Sequence, residues 1–264
     1  MARRWTIEEE QAKYKELASL YIDQNKTLQE IADILRISPS TVYDRMVRLG
    51  ISATPQKKKT YAAQRRNDIT LPKNYSPELA EFFGIMLGDG KLSYYQVMVT
   101  LGNKEMAYVE YVCDKMEKLF CVRPKVAVRN TGYRVVYLGS RDVSNWLQSE
   151  GLVYNKVLSQ VNAPQWIFMK KEFMKKFLKG FFDTDGSIYK LRYGLQLSFT
   201  NASMPLLKSL RGILKELGYT VSNISTIRCY VTKHDEIVRF FKEIQPANPK
   251  HQARFASYIQ DLGR

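Results

Sequence analysis

The chain has 264 residues, 45% hydrophobic and 25% charged, the balance of a core-forming globular protein and not of a disordered one. Lysine plus arginine is 41 against 26 for aspartate plus glutamate, and a net charge of +15 points to a polyanionic partner, nucleic acid first. No run of 18 apolar residues could span a membrane. The opening MARRW leads into polar residues and not a secretory signal, and Cys113, Cys121 and Cys229 make neither a disulfide framework nor a zinc motif. The expectation is an intracellular protein (cytoplasm, nucleoid or organelle), monomeric and with no membrane partner.

Residues 1–53 are expected to form a small all-α domain. Thr6 with Glu9 is a capping box opening a helix over 6–25, with Ala12, Leu17, Leu20 and Tyr21 near helical spacing. Thr27 with Glu30 is a second capping box, starting a short helix through Ile31, Ala32, Ile34 and Leu35. Ser38-Pro39 then reads as a cap with proline in the first helical position, and this third helix ends at Gly50. The stretch TLQEIADILRISPSTVYDRMVRLGI resembles the helix-turn-helix units of bacterial and archaeal regulators, recombinases and sigma-like factors. Val42, Met46 and Leu49 would face the core, leaving Ser40, Thr41, Arg45 and Arg48 for DNA. A helical bundle used for protein contacts is the alternative. Residues 54–75 read as a basic linker, either a solvated spacer or a strap following phosphates.

From Ser76 onward the chain repeats. PELAEFFGIMLGDGKL reaches Asp89-Gly90, and KKFLKGFFDTDGSI reaches Asp185-Gly186; alternating strand-like residues, an asparagine, a helix, a second hairpin (Asn130-Thr131-Gly132 as its turn in the first copy) and a closing helix follow in each copy. Asp185 follows Asp89 by 96 positions, Asn201 follows Asn103 by 98 and Lys250 follows Lys156 by 94. Near-constant offsets argue for duplication, dividing the body into halves 76–168 and 169–264.

Gly84 and Gly88 are four apart, as are Gly180 and Thr184, so each motif helix carries a flat stripe that lets two backbones nearly touch. Gly90 and Gly186 are expected to be left-handed caps. Parallel packing would set Asp89 beside Asp185 at two negative helix ends, a site that repels itself unless cations fill it. Oxygen ligands with room for water suit Mg²⁺, and paired metals clamping an in-line attack on phosphate are a route to phosphodiester hydrolysis. An EF-hand is a poor alternative, since Asp183 leads to Gly194 and Asp185 to Gln196 where a twelfth-position glutamate belongs.

FFGIMLGDG (82–90) and LKGFFDTDG (178–186) resemble the two signature motifs of single-chain LAGLIDADG homing endonucleases; the first departs at Leu87, where the family often has aspartate. The resemblance covers about 76–264. It implies an α+β fold of two pseudo-symmetric αββαββα halves forming a DNA-binding saddle, with a small helix-turn-helix domain in front. It implies metal-binding acids Asp89 and Asp185, with the Gly88 and Thr184 carbonyls as further ligands. Asn103 and Asn201 would orient the attacking water, and Lys156 and Lys250 would sit near the scissile phosphate. The implied reaction is Mg²⁺-dependent double-strand cleavage of a long DNA target leaving 3′ overhangs, one strand per aspartate, with Mn²⁺ or Ca²⁺ able to substitute for binding.

DNA contact is expected from the strands: Lys125, Arg129 and, across the turn, Arg134 in the first half; Lys190, Arg192, Gln196, Ser198, Arg228 and Lys233 in the second. His234 and His251 read as surface residues, and Cys113 and Cys121 as core. Two rival readings are a transcriptional regulator with an inactive endonuclease fold and an RNA maturase, whose partner would be intron RNA. The ends Met-Ala and Leu-Gly-Arg, without a splice-junction His-Asn, favour an intron or free-standing gene over an intein.

Overall fold

A computed structural model describes residues 6–52, 68–129, 132–192 and 194–262, which belong to two compact units, 1–65 and 66–264. Most of the expected linker 54–75 (its residues 54–67) and Asn130 and Thr131 of the hairpin turn expected in the first half lie outside the described residues.

In the first unit both capping boxes form. The Thr6 hydroxyl accepts from Glu9 N (3.2 Å) while Thr6 N donates to the Glu9 carboxylate (2.9 Å), and Thr27 with Glu30 repeats the pattern at 3.2 and 2.7 Å. Helix α1 (Ile7–Ala18) ends sooner than expected, in a wider π-type turn over Ser19–Asp23. Helix α2 (Leu28–Leu35) stops at a left-handed Arg36, and α3 (Pro39–Arg48) starts from the Ser38 cap. Leu17, Tyr21, Ile31, Ala32, Val42, Met46 and Ile51 form a separate small core. Ala12 is exposed.

The second unit is built on two motif helices. Ser76 caps α4 (Pro77–Leu87), accepting from Leu79 N at 3.1 Å, and Pro77 fits the first turn, where no N–H is needed. After α4 come β1 (Gly90–Leu92), β2 (Gln96–Gly102), α5 (Met106–Phe120), β3 (Lys125–Arg129), β4 (Tyr133–Gly139) and α6 (Arg141–Ser149), with sheet order β1-β2-β4-β3. The second copy runs α7 (Lys171–Asp185), β5 (Gly186–Leu191), β6 (Gly194–Thr200), α8 (Met204–Glu216), β7 (Arg228–Val231), α9 (His234–Glu243), and adds α10 (Pro249–Leu262). Its sheet is β5-β6-β7. Beside β7, Ser225 and Arg228 form an isolated bridge, Ser222 N donates to the Tyr230 carbonyl (2.9 Å), and the Ser222 hydroxyl accepts from Tyr230 N (3.0 Å). The architecture is therefore α+β with a repeated helix–hairpin order, as expected.

One core runs through both halves, with α4 and α7 at its centre. Ile69 and Leu71 pack on it, Thr70 N donates to Phe120 O, and Tyr75 stacks on Trp166 with centroids 4.5 Å apart, so residues 69–75 belong to this body and not to a linker. Cys113 is buried as expected, but Cys121 is exposed at the left-handed end of α5. His251 is also reversed from its expectation: it is fully buried, 4.7 Å from the Phe182 ring centroid, because α10 folds back over α7, whereas His234 is exposed.

Candidate functional site

The small-residue stripes bring α4 and α7 into backbone contact. A Cβ on Gly84 would meet the Phe177 carbonyl and lie 2.7 Å from Phe181 N; one on Gly180 would meet the Glu81 carbonyl and lie 3.0 Å from Ile85 N; one on Gly88 would lie 2.8 Å from Thr184 Cβ. Gly90 and Gly186 are not left-handed. Gly186 is extended (φ −85, ψ 161) and opens β5 directly from the end of α7, while Gly90 opens β1 with Gly88 and Asp89 between it and the end of α4. Added Cβ atoms would strike Met86 and Phe182 respectively, so crowding against the last helical turn excludes a side chain there.

This packing delivers Asp89, just past α4, and Asp185, the last residue of α7, to one place, both half-buried. Burial first, and then the charge of Asp89, push the Asp185 carboxyl up to about 6; burial raises Asp89, opposed by Lys250 and then Lys156. For Asp185 the order of the cations is reversed, Lys156 before Lys250.

The two lysines are held differently. Lys156 Nζ donates to the carbonyls of Met86 (3.1 Å), Leu87 (3.3 Å) and Gly88, capping the negative end of α4. The Gly88 carbonyl, expected to be a ligand, is thereby engaged. The Thr184 hydroxyl bonds back to the carbonyls of Gly180 (3.1 Å) and Phe181 (3.0 Å). Lys250 Nζ lies 2.8 Å from Glu105 Oε1.

The asparagines also diverge. Asn201 Nδ2 donates to Asp185 Oδ2 (3.1 Å), and its Oδ1 accepts from Ser203 N (2.9 Å), so its amide fixes the carboxylate. Asn103 is exposed in the turn after β2. Gly90 pairs with Val99 and Gly186 with Phe199, so Asn103 lies four residues past its pairing point and Asn201 only two. At about 3.3 Å per strand residue, Asn103 is carried roughly 7 Å farther along, and buried Leu101 stands in the place that Asn201 occupies.

Three polar residues that the sequence reading passed over complete the site. Asp183, buried and pushed up to about 7 by that burial, accepts from Ala247 N (2.9 Å) and Asn248 N (3.0 Å). Asn248 Nδ2 donates to the Asp183 carbonyl (3.0 Å) and to Glu105 Oε1 (2.9 Å). Glu105 also accepts from Gly102 N at 2.8 Å. The signal for Asp183 was its alignment, 96 positions on, with Leu87; for Glu105 and Asn248 the repeat carried none.

Register sorts the expected DNA contacts. Lys125 and Arg129 lie across from Tyr137 and Tyr133 on the face of the first sheet away from the core, and both are exposed. Arg134 is opposite Leu101 and Val128, on the core side, where its Nε is buried with no hydrogen-bond partner among the described residues; one position of register puts it on the wrong face. In the second sheet Gln196 and Arg228 share the outer face with Tyr189 and Tyr230. Ser198 is on that face too but fully buried, its hydroxyl 3.5 Å from that of Thr200, and so cannot meet DNA in this structure. Lys190 emerges from the core-side register at the hairpin tip beside Arg192, and Lys233 has left the sheet to cap α9, 3.5 Å from Glu236. In the first unit, Ser40 and Thr41 hydroxyls are each 2.8 Å from the Ser38 cap, Arg45 is half-buried, and Arg48 Nε donates to Glu10 at 3.0 Å.

Among curated proteins the chain is similar to two from Methanocaldococcus jannaschii. One is a replication factor C small subunit, 28% identical over 118 residues, 44% of this chain and 6% of that protein. The other is a glutamine–fructose-6-phosphate aminotransferase (isomerizing), 21% identical over 158 residues, 59% and 14% respectively. The chain thus spans a small part of the length of the curated relatives it matches. Among solved structures it is similar to I-DmoI in complex with DNA and Mn (17% identity, TM-score 0.49, 65% of this chain and 97% of that one). It is likewise similar to the N-terminal LAGLIDADG domain of WhiA (18%, 0.46, 66% and 86%) and to I-WcaI bound to its DNA recognition sequence (14%, 0.45, 78% and 95%). A family model described as LAGLIDADG-like domain matches residues 172–245. That span runs from the start of α7 to the end of α9, within the Asp185 half of the repeat.

Proposed function

We propose that the protein is a site-specific homing endonuclease that makes a Mg²⁺-dependent double-strand break in DNA, leaving 3′ overhangs. The observation that carries this reading is the pair Asp89 and Asp185, brought together by two helices in backbone contact, with the charges of Lys156 and Lys250 acting on both. Two half-buried carboxylates at two helix ends, the Asp89 charge raising the proton affinity of Asp185, form a donor set that fits a hard divalent cation, with water and phosphate completing its shell. When bound there, Mg²⁺ supplies charge neutralisation at the scissile phosphate and an activated water. Asp89 and Asp185 would hold it, with the Thr184 carbonyl within the same turn. Asn201 fixes the Asp185 carboxylate, and Lys156 and Lys250 bring positive charge to the phosphate. Lys125, Arg129, Gln196 and Arg228 offer the exposed contacts of the two sheets, arginine and glutamine toward base edges and lysine toward phosphates. The three-helix unit acts as a helix-turn-helix that lengthens the recognised site, with Arg45 and Arg48 its cationic contacts.

The test is to incubate genome-length DNA with the protein, with and without Mg²⁺, and to sequence the new ends for wild type and Asp185→Asn. Discrete Mg²⁺-dependent ends with 3′ overhangs, lost in the variant while DNA binding persists, are expected. Cutting retained by Asp185→Asn would remove the metal assignment, and a binding protein that makes no ends would be a regulator or maturase. Deleting residues 1–55 should weaken binding and shorten the protected footprint while cleavage chemistry survives; an unchanged footprint rejects the extended site.

A further inference from the structure

Lys250 is held by residues of both halves, and its first-half partner Glu105 follows β2, the strand whose Thr100 N donates to the Asp89 carbonyl at 3.2 Å. Its own segment is tied to the end of α7: Ala247 N and Asn248 N donate to the Asp183 carboxylate, Asn248 Nδ2 donates to the Asp183 carbonyl, and Lys250 N donates to Asn248 Oδ1 at 3.2 Å. The ammonium is then fixed from the first half by Glu105, whose Oε1 receives both Lys250 Nζ (2.8 Å) and Asn248 Nδ2 (2.9 Å), and whose Oε2 receives Gly102 N (2.8 Å). Glu105 is therefore braced at both oxygens, one by the end of β2 and one by the loop entering α10. Lys156 is held differently, on the backbone carbonyls of Met86, Leu87 and Gly88 at the end of α4.

Building on the endonuclease reading, we propose that Glu105 is a positioning residue: with Asn248 it clamps Lys250 across the boundary between the halves and sets it against Asp89, so that this clamp governs one of the two strand cuts. Removing it slows the cut made at Asp89 and spares the cut made at Asp185. Loss of an outer residue that orients a reacting group costs about 10–100-fold in comparable sites, and an effect of that size on one strand is expected.

The experiment uses the full chain, Mg²⁺ and a duplex carrying the mapped site, each strand labelled separately, under single-turnover conditions. For Glu105→Ala the rate on one strand falls about tenfold or more, while the other strand and the half-saturating DNA concentration hold. Glu105→Gln, which can still accept from Lys250 and Asn248, recovers part of the loss. Equal slowing of both strands, or of neither, overturns the proposal. Amide hydrogen exchange of the metal-free, DNA-free protein gives a readout independent of cleavage. In Glu105→Ala exchange should quicken over residues 247–250 while α4 and α7 stay protected, and unchanged exchange at 247–250 also overturns it. A wild type that cuts no DNA removes the endonuclease reading alone, and the exchange result then decides whether Glu105 holds Lys250.

Discussion

The Asp89 half and the Asp185 half follow the same element order, and where their helices meet they are constrained alike: Gly84 and Gly180 each lie against the other helix's backbone, leaving no room for a methyl group. A few residues away the halves part. Asp185 has Asn201 on its carboxylate, whereas Asp89 has Lys250 and Glu105 in its surroundings and a buried leucine where the asparagine would stand. Asp183 anchors the loop before α10, while its counterpart Leu87 is core. Close helix contact leaves no latitude, because any added volume meets backbone that cannot give way. Strand ends tolerate two residues of drift, and that drift is enough to exchange one polar partner for another.

The severest break in this comparison is at the shared contact. Gly180→Ala should cost about 3 kcal/mol of unfolding free energy by overpacking, measured by urea denaturation. Gly212→Ala, on α8 with nothing within 4 Å of the new methyl, should instead stabilise by roughly 0.5–1 kcal/mol. Equal effects of the two changes would mean that α4 and α7 are not in backbone contact.

A sharper version tests the divergence itself. Asn201→Ala should slow cleavage about 10–100-fold, since it frees the Asp185 carboxylate to rotate, whereas Asn103→Ala should leave both strand rates unchanged. If the two asparagines behave alike, the halves are functionally symmetric after all.

The smallest effect expected is on stability against pH in the absence of metal. The Asp185 carboxyl is raised to about 6 in the folded protein, so the folded state binds its proton more tightly than the unfolded chain does. That contribution is complete below about pH 4, the ordinary carboxylate value, and is lost as pH rises through about 6. Asp185→Asn, which does not titrate, should therefore gain stability relative to wild type over that window in chelator-treated protein. Parallel denaturation curves for the two proteins at every pH would contradict the buried, Asp89-facing placement of this carboxyl.

Much of this protein was legible in its sequence because the signals are local. Two capping boxes and a Ser-Pro start give the three-helix unit, glycine and threonine at four-residue spacing give the helix contact, and repeated Asp-Gly ends at a 96-residue offset give the paired carboxylates. Each depends on a few consecutive residues whose backbone preference or spacing settles the outcome. The tertiary structure alone decided which partners those carboxylates received. One position of register turned Arg134 inward, and two displaced Asn103. Glu105 and Lys250 are 145 positions apart in the chain and meet only because α7 and β2 end at the same place. Such contacts depend on long-range register, which no short stretch of residues encodes.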